Sequence, residues 1–345
     1  MAAAAARRVL STNTVSVSAQ KLLDSFSNHV VGQEEATMAL LNVYERYMAG
    51  LCDPTRPIGN ALFLGPTGTG KTHVVETFAY GLFGDVRACI KIDCAEFQHS
   101  HEIAKLVGSP PGYLGHRETH PVLTQEALDL WHNEKLKMTI LLFDEIEKAS
   151  DALWNLMLGI LDKATLTLGD NRKVDFSKCI LVMTSNLGGT AMNKAVDGGL
   201  GFATPYEVAL ETSKLKSIAI SAAKSKFTPE FMNRIQHTSV FQTLTEEQIR
   251  QILDIELVEL QRRMFFAQVG LKIAVSPKAR RRLATEGFDK AYGARHLKRA
   301  IDRLLEIPLA RIITSQQVGK GDTVIVDEVG KEEFEFSIPP FREER

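Results

Sequence analysis

The sequence predicts a three-layer α/β/α domain with a parallel sheet, followed by a small, mainly helical α+β C-terminal domain. Short apolar runs alternate with helical stretches as far as about Thr243, and amphipathic helices dominate beyond it. Strands that alternate with helices favour a parallel sheet, because each crossover between parallel strands needs a connection long enough for a helix. The chain has 345 residues, which suits about two domains at ~150 residues per domain.

Four apolar runs have the length and composition of buried strands. They are residues 61–64, 88–93, 138–143 and 179–184, and a weaker candidate lies at 238–241. Each run is short and rich in β-branched or aliphatic residues, and the segments between them are long enough for crossover helices. We therefore expect one parallel sheet, with ligands bound at the carboxyl ends of its strands.

The C-terminal part carries helix start signals. Residues 245–248 (Thr-Glu-Glu-Gln) have the form of a capping box, Ser276 and Pro277 can begin a second helix, and a third should follow Gly293. Residues 322–327 and 333–338 alternate like a pair of strands. The predicted organisation is a flexible leader over 1–24, a large domain over 25–243 and a small domain over 244–345.

Composition excludes several classes of protein. Lys and Arg total 41 against 42 Asp and Glu, and this balance argues against a protein that mainly coats nucleic acid or an anionic membrane. No apolar run approaches the ~20 residues of a membrane span, so no membrane partner is expected. The four cysteines lack metal-ligand spacing. We expect a cytoplasmic protein, while the Ala/Ser/Arg-containing leader leaves organelle import open.

A glycine-rich phosphate-binding motif follows the first predicted strand. Its residues are Gly65, Pro66, Thr67, Gly68, Thr69, Gly70, Lys71 and Thr72, in the order G-x-x-x-x-G-K-T. The glycines allow backbone N–H groups to turn toward phosphates, and the following helix adds its positive N-terminal end. We expect Lys71 to reach the β- and γ-phosphates of ATP, and the Thr72 hydroxyl to ligate Mg²⁺.

Two adjacent carboxylates end the third predicted strand, Asp144 and Glu145. Delivering two charges from an apolar strand is costly unless a cation or a reaction uses them. We expect Asp144 to hold Mg²⁺ through its water shell and Glu145 to polarise the attacking water. The fourth strand closes with Thr184, Ser185 and Asn186, where the Asn186 side chain can help to position that water.

Together these motifs and four further segments resemble the AAA+ superfamily of P-loop NTPases, and specifically its Clp branch. The further segments are 30–33, 108–115, 227–234 and 292–295, which are similar to the adenine-flanking segment, the pore loop, the arginine-finger segment and the second sensor. The greatest similarity is to the second ATPase module of ClpB and ClpC, over roughly residues 25–340.

The resemblance implies roles for further positions in the nucleotide site. Arg234 is implied to reach the γ-phosphate of a neighbouring subunit, and Arg295 to contact the nucleotide of its own subunit. Val30 and Val31 are implied to flank the adenine. Because Arg234 acts on a neighbour, ATP hydrolysis should require assembly, which the family achieves as a homo-hexameric ring.

The pore-loop resemblance implies a polypeptide substrate. Two prolines and flanking glycines frame one aromatic residue, Tyr113, between Gly112 and Leu114. By resemblance, Tyr113 lines an axial channel and pulls unfolded or aggregated polypeptide through it. The alternative is a rigid surface turn with Tyr113 packed down. Residues 116–121 depart from the family's acidic, glycine-rich continuation, which leaves the substrate preference open.

Two departures from the family decide which kind of Clp protein to expect. About 29 residues precede Val30, so we expect neither an amino-terminal substrate domain nor a first ATPase module, and either a single-tier ring or a fragment of a longer chain. Leu200, Gly201 and Phe202 resemble the tripeptide with which protease-partnered members dock ClpP. The alternative is a mobile loop whose Phe202 packs locally.

Three functions follow as hypotheses. The leading one is an ATP-dependent protein unfoldase or remodelling chaperone. The first alternative is the ATPase subunit of a Clp-type protease, with a ClpP-type peptidase as partner. The second is a nucleic-acid motor or loader, for which the basic run 278–282 is the best support, although a solvated or inter-subunit face also explains that run.

Overall fold

The computed structural model describes residues 11, 14–109, 121–197, 205–289, 293–329 and 333–339. In these ranges the strands are β1 (Gly59–Leu64), β2 (Cys89–Asp93), β3 (Thr139–Asp144), β4 (Thr165–Thr167), β5 (Lys173–Asp175), β6 (Cys179–Ser185), β7 (His237–Val240), β8 (Lys272–Val275), β9 (Thr323–Val329) and β10 (Glu333–Ser337).

These strands form three sheets, of five, three and two strands. The same ranges contain the following helices. They are α1 (Val17–His29), α2 (Glu34–Met48), α3 (Lys71–Phe83), α4 (Ala104–Val107), α5 (Gln125–Asp129), α6 (Asp151–Lys163), α7 (Gly189–Asp197), α8 (Pro205–Lys226), α9 (Pro229–Arg234), α10 (Glu246–Phe266), α11 (Pro277–Gly287), α12 (Ala294–Ile301) and α13 (Ile307–Thr314). A π-helical segment, Asp302–Glu306, joins α12 to α13.

The main sheet has five parallel strands in the order β2-β3-β6-β1-β7. Every residue of β1 and β6 is buried, which explains why these strands are near-continuous apolar runs rather than alternating ones. The predicted parallel sheet is confirmed, and β6 lies between β1 and β3. The carboxyl ends of these three strands therefore meet at one edge, where the predicted phosphate loop, acidic pair and Asn186 follow them.

Two apolar cores cover the two faces of this sheet. Along β1, Ala61 and Phe63 face one core, which includes residues of α1, α2 and α3. Leu62 and Leu64 face the other, which includes residues of α6, α8 and α9. Successive residues of a strand point to opposite faces, so a fully apolar strand fills both cores. This arrangement is the predicted three-layer α/β/α domain.

Helix α1 differs from the predicted flexible leader. The helix begins at Val17, where the Ser16 hydroxyl accepts a hydrogen bond from the Ala19 N–H at 3.1 Å. Leu22 and Phe26 are buried, and the Phe26 ring stacks on Phe78 of α3 with the centroids 6.2 Å apart. Residues 17–24 are thus packed onto the large domain, because an apolar stripe at helical spacing lies within a segment that is otherwise rich in Ala and Ser.

The small domain contains the predicted helices and one strand that the sequence did not predict. The capping box at α10 is present, since Thr245 Oγ1 accepts from the Gln248 N–H and Gln248 Oε1 accepts from the Thr245 N–H. Strand β8 pairs in parallel with β9, giving a three-stranded sheet in the order β10-β9-β8. The four residues of β8 alternate between exposed and half-buried, which is too weak a pattern to predict a strand.

Within the ranges that the structure describes, no helix is both long and apolar enough to cross a membrane.

Candidate nucleotide site

A cavity of about 760 Å³ lies at the carboxyl edge of the main sheet, between the large and the small domain. We call it the interdomain cavity. Its polar end is lined by the phosphate loop and its apolar end by side chains of both domains. The predicted residues that line it are Val30, Val31, Thr67, Gly68, Thr69, Gly70, Lys71, Thr72, Asp144, Glu145, Asn186 and Arg295.

The phosphate loop needs glycine at three positions. Gly65, Gly68 and Gly70 have φ values of +143°, +78° and +95°, a region that other residues rarely adopt. At Gly65 a Cβ atom would also lie 2.4 Å from the Phe241 carbonyl oxygen. The loop leads directly into α3, whose first-turn N–H groups have no partner inside the helix. This geometry suits an anion at the start of α3.

Lys71 is buried against the loop that carries it. Its ammonium group donates to the carbonyl oxygens of Gly65 and Pro66 at 2.8 and 2.7 Å, and to Asn186 Oδ1 at 3.0 Å. Only 7% of the residue is exposed, and burial lowers the pKa of Lys71 to about 8. Because its three hydrogen-bond partners are neutral oxygens, a bound anion would stabilise the charged form of Lys71.

Asp144 and Thr72 form an oxygen-rich pair beside Lys71. Thr72 Oγ1 lies 3.2 Å from Asp144 Oδ2, and the Thr184 hydroxyl also donates to Asp144. The Lys91 ammonium group lies 3.8 Å from the same carboxylate. Hydroxyl and carboxylate oxygens are the hard ligands that Mg²⁺ prefers, so these residues fit the predicted metal. Thr184 belongs to the predicted strand-end motif, but its residue type alone does not indicate this contact.

Glu145 is held in a strained backbone conformation by its neighbours. Its φ is +56°, which is uncommon for a residue other than glycine. The Glu145 N–H donates to Thr184 Oγ1 at 3.1 Å, and Asn186 Nδ2 donates to Glu145 Oε1 at 3.1 Å. Since Asn186 Oδ1 accepts from Lys71, one amide connects the loop lysine to the carboxylate. The chemistry of the two partners fixes the orientation of this amide.

Glu147 is a site residue that sequence reasoning missed. Its Oε1 accepts a hydrogen bond from the Asn186 N–H at 3.0 Å, so it holds the backbone of that residue. Its Oε2 is buried and has no hydrogen-bond partner among the described residues. The signal was present as a third carboxylate in Asp-Glu-Ile-Glu, two residues beyond Glu145. The contact of Glu147 with Asn186 becomes apparent only when the pairing of β3 with β6 is known.

The apolar end of the cavity combines the predicted valines with unpredicted residues of two helices. Val30 and Val31 line it together with Ile252 of α10 and Tyr80 of α3. The Arg262 guanidinium of α10 lies 6.0 Å from the centre of the Tyr80 ring, which bridges the two domains. Such an apolar slot beside a polar end fits a flat base attached to phosphates. The two helices are far apart in the sequence, so their shared lining had no local signal.

Arg295 lies at the polar end, on the first turn of α12. The Ala294 N–H donates to the Gly68 carbonyl at 3.0 Å, which fixes this turn against the phosphate loop. Arg295 makes no hydrogen bond or ion pair to another residue that the structure describes. Its charge is close enough to contribute to lowering the pKa of Lys71, after burial. Two cations therefore face one end of the cavity, which fits a polyanionic ligand.

Arg234 does not line the interdomain cavity of its own chain. It ends α9, where its Nε donates to Asp162 Oδ1 at 2.6 Å and its Nη2 lies 3.1 Å from Glu230 Oε1. The hydrogen bond to Asp162 raises the pKa of Arg234. Its side chain is 27% exposed. Arg234 therefore lies apart from the nucleotide-site residues of its own chain.

Six predicted positions lie outside the residues that the structure describes. They are the pore-loop residues Gly112, Tyr113 and Leu114, and the tripeptide Leu200, Gly201 and Phe202.

A parallel sheet that carries a glycine-rich phosphate loop, a strand-end acidic pair and a small domain over the cavity defines an ATPase module of the P-loop class. The chain belongs to the AAA family. The family described as "AAA domain (Cdc48 subfamily)" matches residues 56–238, and the family described as "C-terminal, D2-small domain, of ClpB protein" matches residues 244–326.

Its relatives include Clp proteins from plants and bacteria. One is the chloroplastic "ATP-dependent Clp protease ATP-binding subunit ClpA homolog" of Brassica napus. It is 38% identical over 309 residues, which cover 89% of this chain and 34% of the relative. The chaperone protein ClpB of Rhodopirellula baltica is 38% identical over 308 residues, covering 89% of this chain and 33% of the relative. The chain thus spans about a third of the length of the curated relatives it matches, and the predicted resemblance to the Clp branch is confirmed.

Solved structures of a yeast chaperone share the fold. The S. cerevisiae Hsp104:casein complex in an extended conformation superposes with a TM-score of 0.78 at 30% identity, covering 94% of this chain and 53% of that chain. A closed-state reconstruction of Hsp104 with ATPγS and FITC casein gives a TM-score of 0.76 at 31% identity, covering 92% of this chain and 52% of the other.

Proposed function

We propose that this chain is the ATP-hydrolysing module of a ring-forming protein unfoldase or remodelling chaperone. The observation that carries the proposal is the interdomain cavity, with two cations and two strand-end carboxylates at one end and an apolar slot at the other. Phosphates fit the cationic end, and adenine fits the slot that includes Val30 and Val31. The proposed ligands are ATP and Mg²⁺.

Six polar residues of the cavity have roles in the proposed hydrolysis. Lys71 and the loop N–H groups bind the β- and γ-phosphates, and Arg295 contacts the phosphates from the small domain. Thr72 and Asp144, the latter through water, would hold Mg²⁺, and the bound ion would neutralise charge on the phosphate oxygens. Glu145 Oε takes a proton from the attacking water. Asn186 orients Glu145 through the 3.1 Å hydrogen bond from its Nδ2.

Arg234 is proposed to act on the nucleotide of a neighbouring subunit. Its absence from its own cavity and its position at the surface end of α9 support this role. A cation that stabilises charge in phosphoryl transfer can contribute about 10³-fold or more to the rate. ATP hydrolysis would then require assembly. We propose that the assembly is a homo-hexamer, which the resemblance to the Clp branch implies.

Polypeptide is the proposed substrate. The Hsp104 structures named above contain casein, and several relatives are named chaperones. The gripping role of Tyr113, flanked by Gly112 and Leu114, stays a prediction from the sequence motif. Unfolded or aggregated chains would supply the free segment that such a ring needs.

The direct test is ATP-dependent unfolding of a tagged fluorescent protein in the presence of a trap for unfolded chains. We expect loss of fluorescence with ATP and Mg²⁺ and none with ATPγS. Tyr113→Ala should keep basal ATP hydrolysis and abolish unfolding, whereas Tyr113→Phe should retain unfolding because the ring is kept. Unimpaired unfolding by Tyr113→Ala would overturn the gripping role, and a wild-type chain that hydrolyses ATP without unfolding any tagged substrate would overturn the function.

A protease-partnered ring is the second candidate, because several relatives are named ATP-binding subunits of the Clp protease. Leu200, Gly201 and Phe202 are the proposed docking residues. The same unfolding assay with an added ClpP-type peptidase separates the two candidates. Peptide release that disappears when the tripeptide is deleted would establish this partner, and release that is absent or unaffected by the deletion would exclude docking through it.

The nucleic-acid motor has weaker support. The basic run lies on α11, where Arg280 pairs with Asp254 and Arg282 pairs with Glu286. These carboxylates neutralise much of the charge that a phosphate backbone would need. ATP hydrolysis that rises with added DNA but not with unfolded protein would favour the motor over the unfoldase.

A further inference from the structure

Asn60 is a buried polar residue in a strand that is otherwise apolar. It is the second residue of β1 and is 3% exposed. Its Nδ2 donates to the Arg234 carbonyl oxygen at 3.0 Å, and its Oδ1 accepts from the Gln236 N–H at 2.8 Å. One side chain thus binds the backbone on both sides of Ile235.

These two bonds continue the pairing of β1 with β7 beyond the end of the strand. The first backbone pair between the two strands is Ala61 with His237. Asn60 adds two side-chain hydrogen bonds immediately before this pair, so its amide nitrogen and its amide oxygen each have a partner. Burying an amide is costly unless both donor and acceptor are paired, so a core-packing role alone would favour an apolar residue here. The buried Asn60 amide is explained by its two hydrogen bonds to the backbone of Arg234 and Gln236.

What Asn60 holds is the segment that presents Arg234. The helix α9 ends at Arg234, and the backbone after it is fixed to β1 through Asn60. The Arg234 side chain is fixed separately, through its hydrogen bond to Asp162 at the end of α6. Because both the backbone and the side chain of Arg234 are held by hydrogen bonds, its guanidinium has one defined position at the surface.

We propose that Asn60 is a positioning residue, which sets where Arg234 is presented to the neighbouring subunit. The proposal rests on the proposed role of Arg234 in a neighbour's ATP hydrolysis. Strand β1 continues from Asn60 into the phosphate loop at Gly65. The strand that carries a subunit's own phosphate loop therefore also fixes the arginine that the subunit offers to the next site.

Loss of the two Asn60 hydrogen bonds should lower kcat for ATP hydrolysis without weakening ATP binding. A displacement of a catalytic group by about 1 Å can cost up to ~10²-fold in rate, so we expect Asn60→Ala to lower kcat by roughly tenfold or more. The Kd for ATP in the same chain should be unchanged, because Asn60 does not line the interdomain cavity. A variant that merely loosened the large domain would weaken ATP binding as well.

Mixed rings locate the defect. Asn60→Ala chains keep an intact cavity and present a displaced Arg234, whereas Glu145→Gln chains lack the base and present an intact Arg234. Each homogeneous ring should hydrolyse ATP slowly. In mixtures, an Asn60→Ala site beside a Glu145→Gln chain receives an intact Arg234, so hydrolysis per Asn60→Ala chain should rise several-fold. Mixtures that show only the weighted average of the two homogeneous rings would overturn the role of Asn60.

Two controls separate this proposal from the proposed function on which it rests. Mixtures of Arg234→Ala with Glu145→Gln test action on a neighbour independently of Asn60. If that pair complements and the Asn60 pair does not, the positioning role alone fails; if neither complements, action on a neighbour fails. Asn193→Ala serves as the matched control, since Asn193 is a half-buried amide whose Oδ1 has no partner among the described residues, and its kcat should equal that of the unmodified chain.

Folding of the variants is checked by thermal unfolding. Should Asn60→Ala not fold, Asn60→Ser is run in the same mixtures, because its hydroxyl retains one hydrogen bond in the buried position. Asn60→Ser should show a smaller loss of kcat and the same complementation. A wild-type kcat for a folded Asn60→Ala ring would contradict the proposal directly.

Discussion

Lys71 and Arg234 are two cations that the sequence motifs associate with ATP phosphates, Lys71 in its own subunit and Arg234 in a neighbouring one. Their surroundings in the structure are opposite. Lys71 is 7% exposed and has only neutral oxygens as hydrogen-bond partners, and burial lowers its pKa to about 8. The Arg234 side chain is 27% exposed and paired with two carboxylates, and the bond to Asp162 raises its pKa.

The difference supports the separate roles proposed for the two cations. A buried lysine whose hydrogen-bond partners are all neutral gains stabilisation from an anion bound in its own cavity. A surface arginine that already has counter-ions is stable without a ligand and can be offered to another molecule. Under the proposed function, one module binds ATP with its own residues and lacks one catalytic group, which Arg234 of a neighbouring module supplies.

The largest effect is expected from Glu145→Gln. A positioned general base contributes about 10²–10⁴-fold to a rate, and the amide cannot accept the proton of water. ATP binding should be retained, because Glu145 is not one of the phosphate-binding residues. Steady-state hydrolysis and the binding of a fluorescent ATP analogue measure the two quantities separately. Turnover that survives the substitution in full would remove Glu145 from the base role.

Lys71→Met should weaken ATP binding by about 10- to 100-fold, since hydrogen bonds to a charged group are worth about 1.5–3 kcal/mol. The methionine fills a similar volume, and thermal unfolding without ATP checks that the variant is folded. Titration calorimetry measures the affinity. Unchanged affinity would break the comparison, because Lys71 would then not face the ligand.

The lowered pKa of Lys71 predicts how ATP affinity depends on pH. The free protein loses the Lys71 proton as the pH rises through about 8, and binding must then restore the charge. The Kd for ATP should therefore rise about tenfold between pH 7 and pH 9, by proton linkage. The Lys71→Met variant, measured in the same buffers, should lack this rise. An equal rise in both chains would assign the pH dependence to another group.

A smaller effect is expected from Arg262→Ala at the apolar end. A cation over an aromatic ring at an exposed site contributes about 0.5–1 kcal/mol, so the Kd for ATP should rise about two- to fivefold when the bridge to Tyr80 is lost. Arg263→Ala is the matched control, since Arg263 pairs with Glu306 within the small domain and does not line the cavity. Equal effects of the two substitutions would show that Arg262 acts only through helix stability.

Sequence patterns predicted the polar end of the cavity much better than the rest. The phosphate loop, Asp144 and Asn186 each follow a buried strand, and parallel strands bring their carboxyl ends together whatever the details of packing. Tyr80, Ile252 and Arg262 come from helices that meet only when the two domains pack. No local periodicity distinguishes a helix face toward such a cavity from one toward the core.

The same limit applies to residues that hold other residues. Asn60 and Glu147 make their hydrogen bonds across strands or to a neighbouring turn, at separations of 174 and 39 residues. From residue type alone, Asn60 would be a polar residue in a strand and Glu147 an exposed acid. The leader prediction was wrong over residues 17–24 for a different reason, because composition outweighed the apolar spacing of Leu22 and Phe26 in α1.

The most direct test is ATP hydrolysis by rings mixed from Arg234→Ala and Glu145→Gln chains. Each homogeneous ring should hydrolyse ATP at least about 10²-fold more slowly than the unmodified ring. If a subunit's cavity is completed by its neighbour's arginine, the mixture should hydrolyse ATP well above the sum of the separate rings. A mixture that hydrolyses ATP only at the weighted average of the two separate rings would contradict the proposal that Lys71 serves its own subunit's cavity and Arg234 a neighbour's.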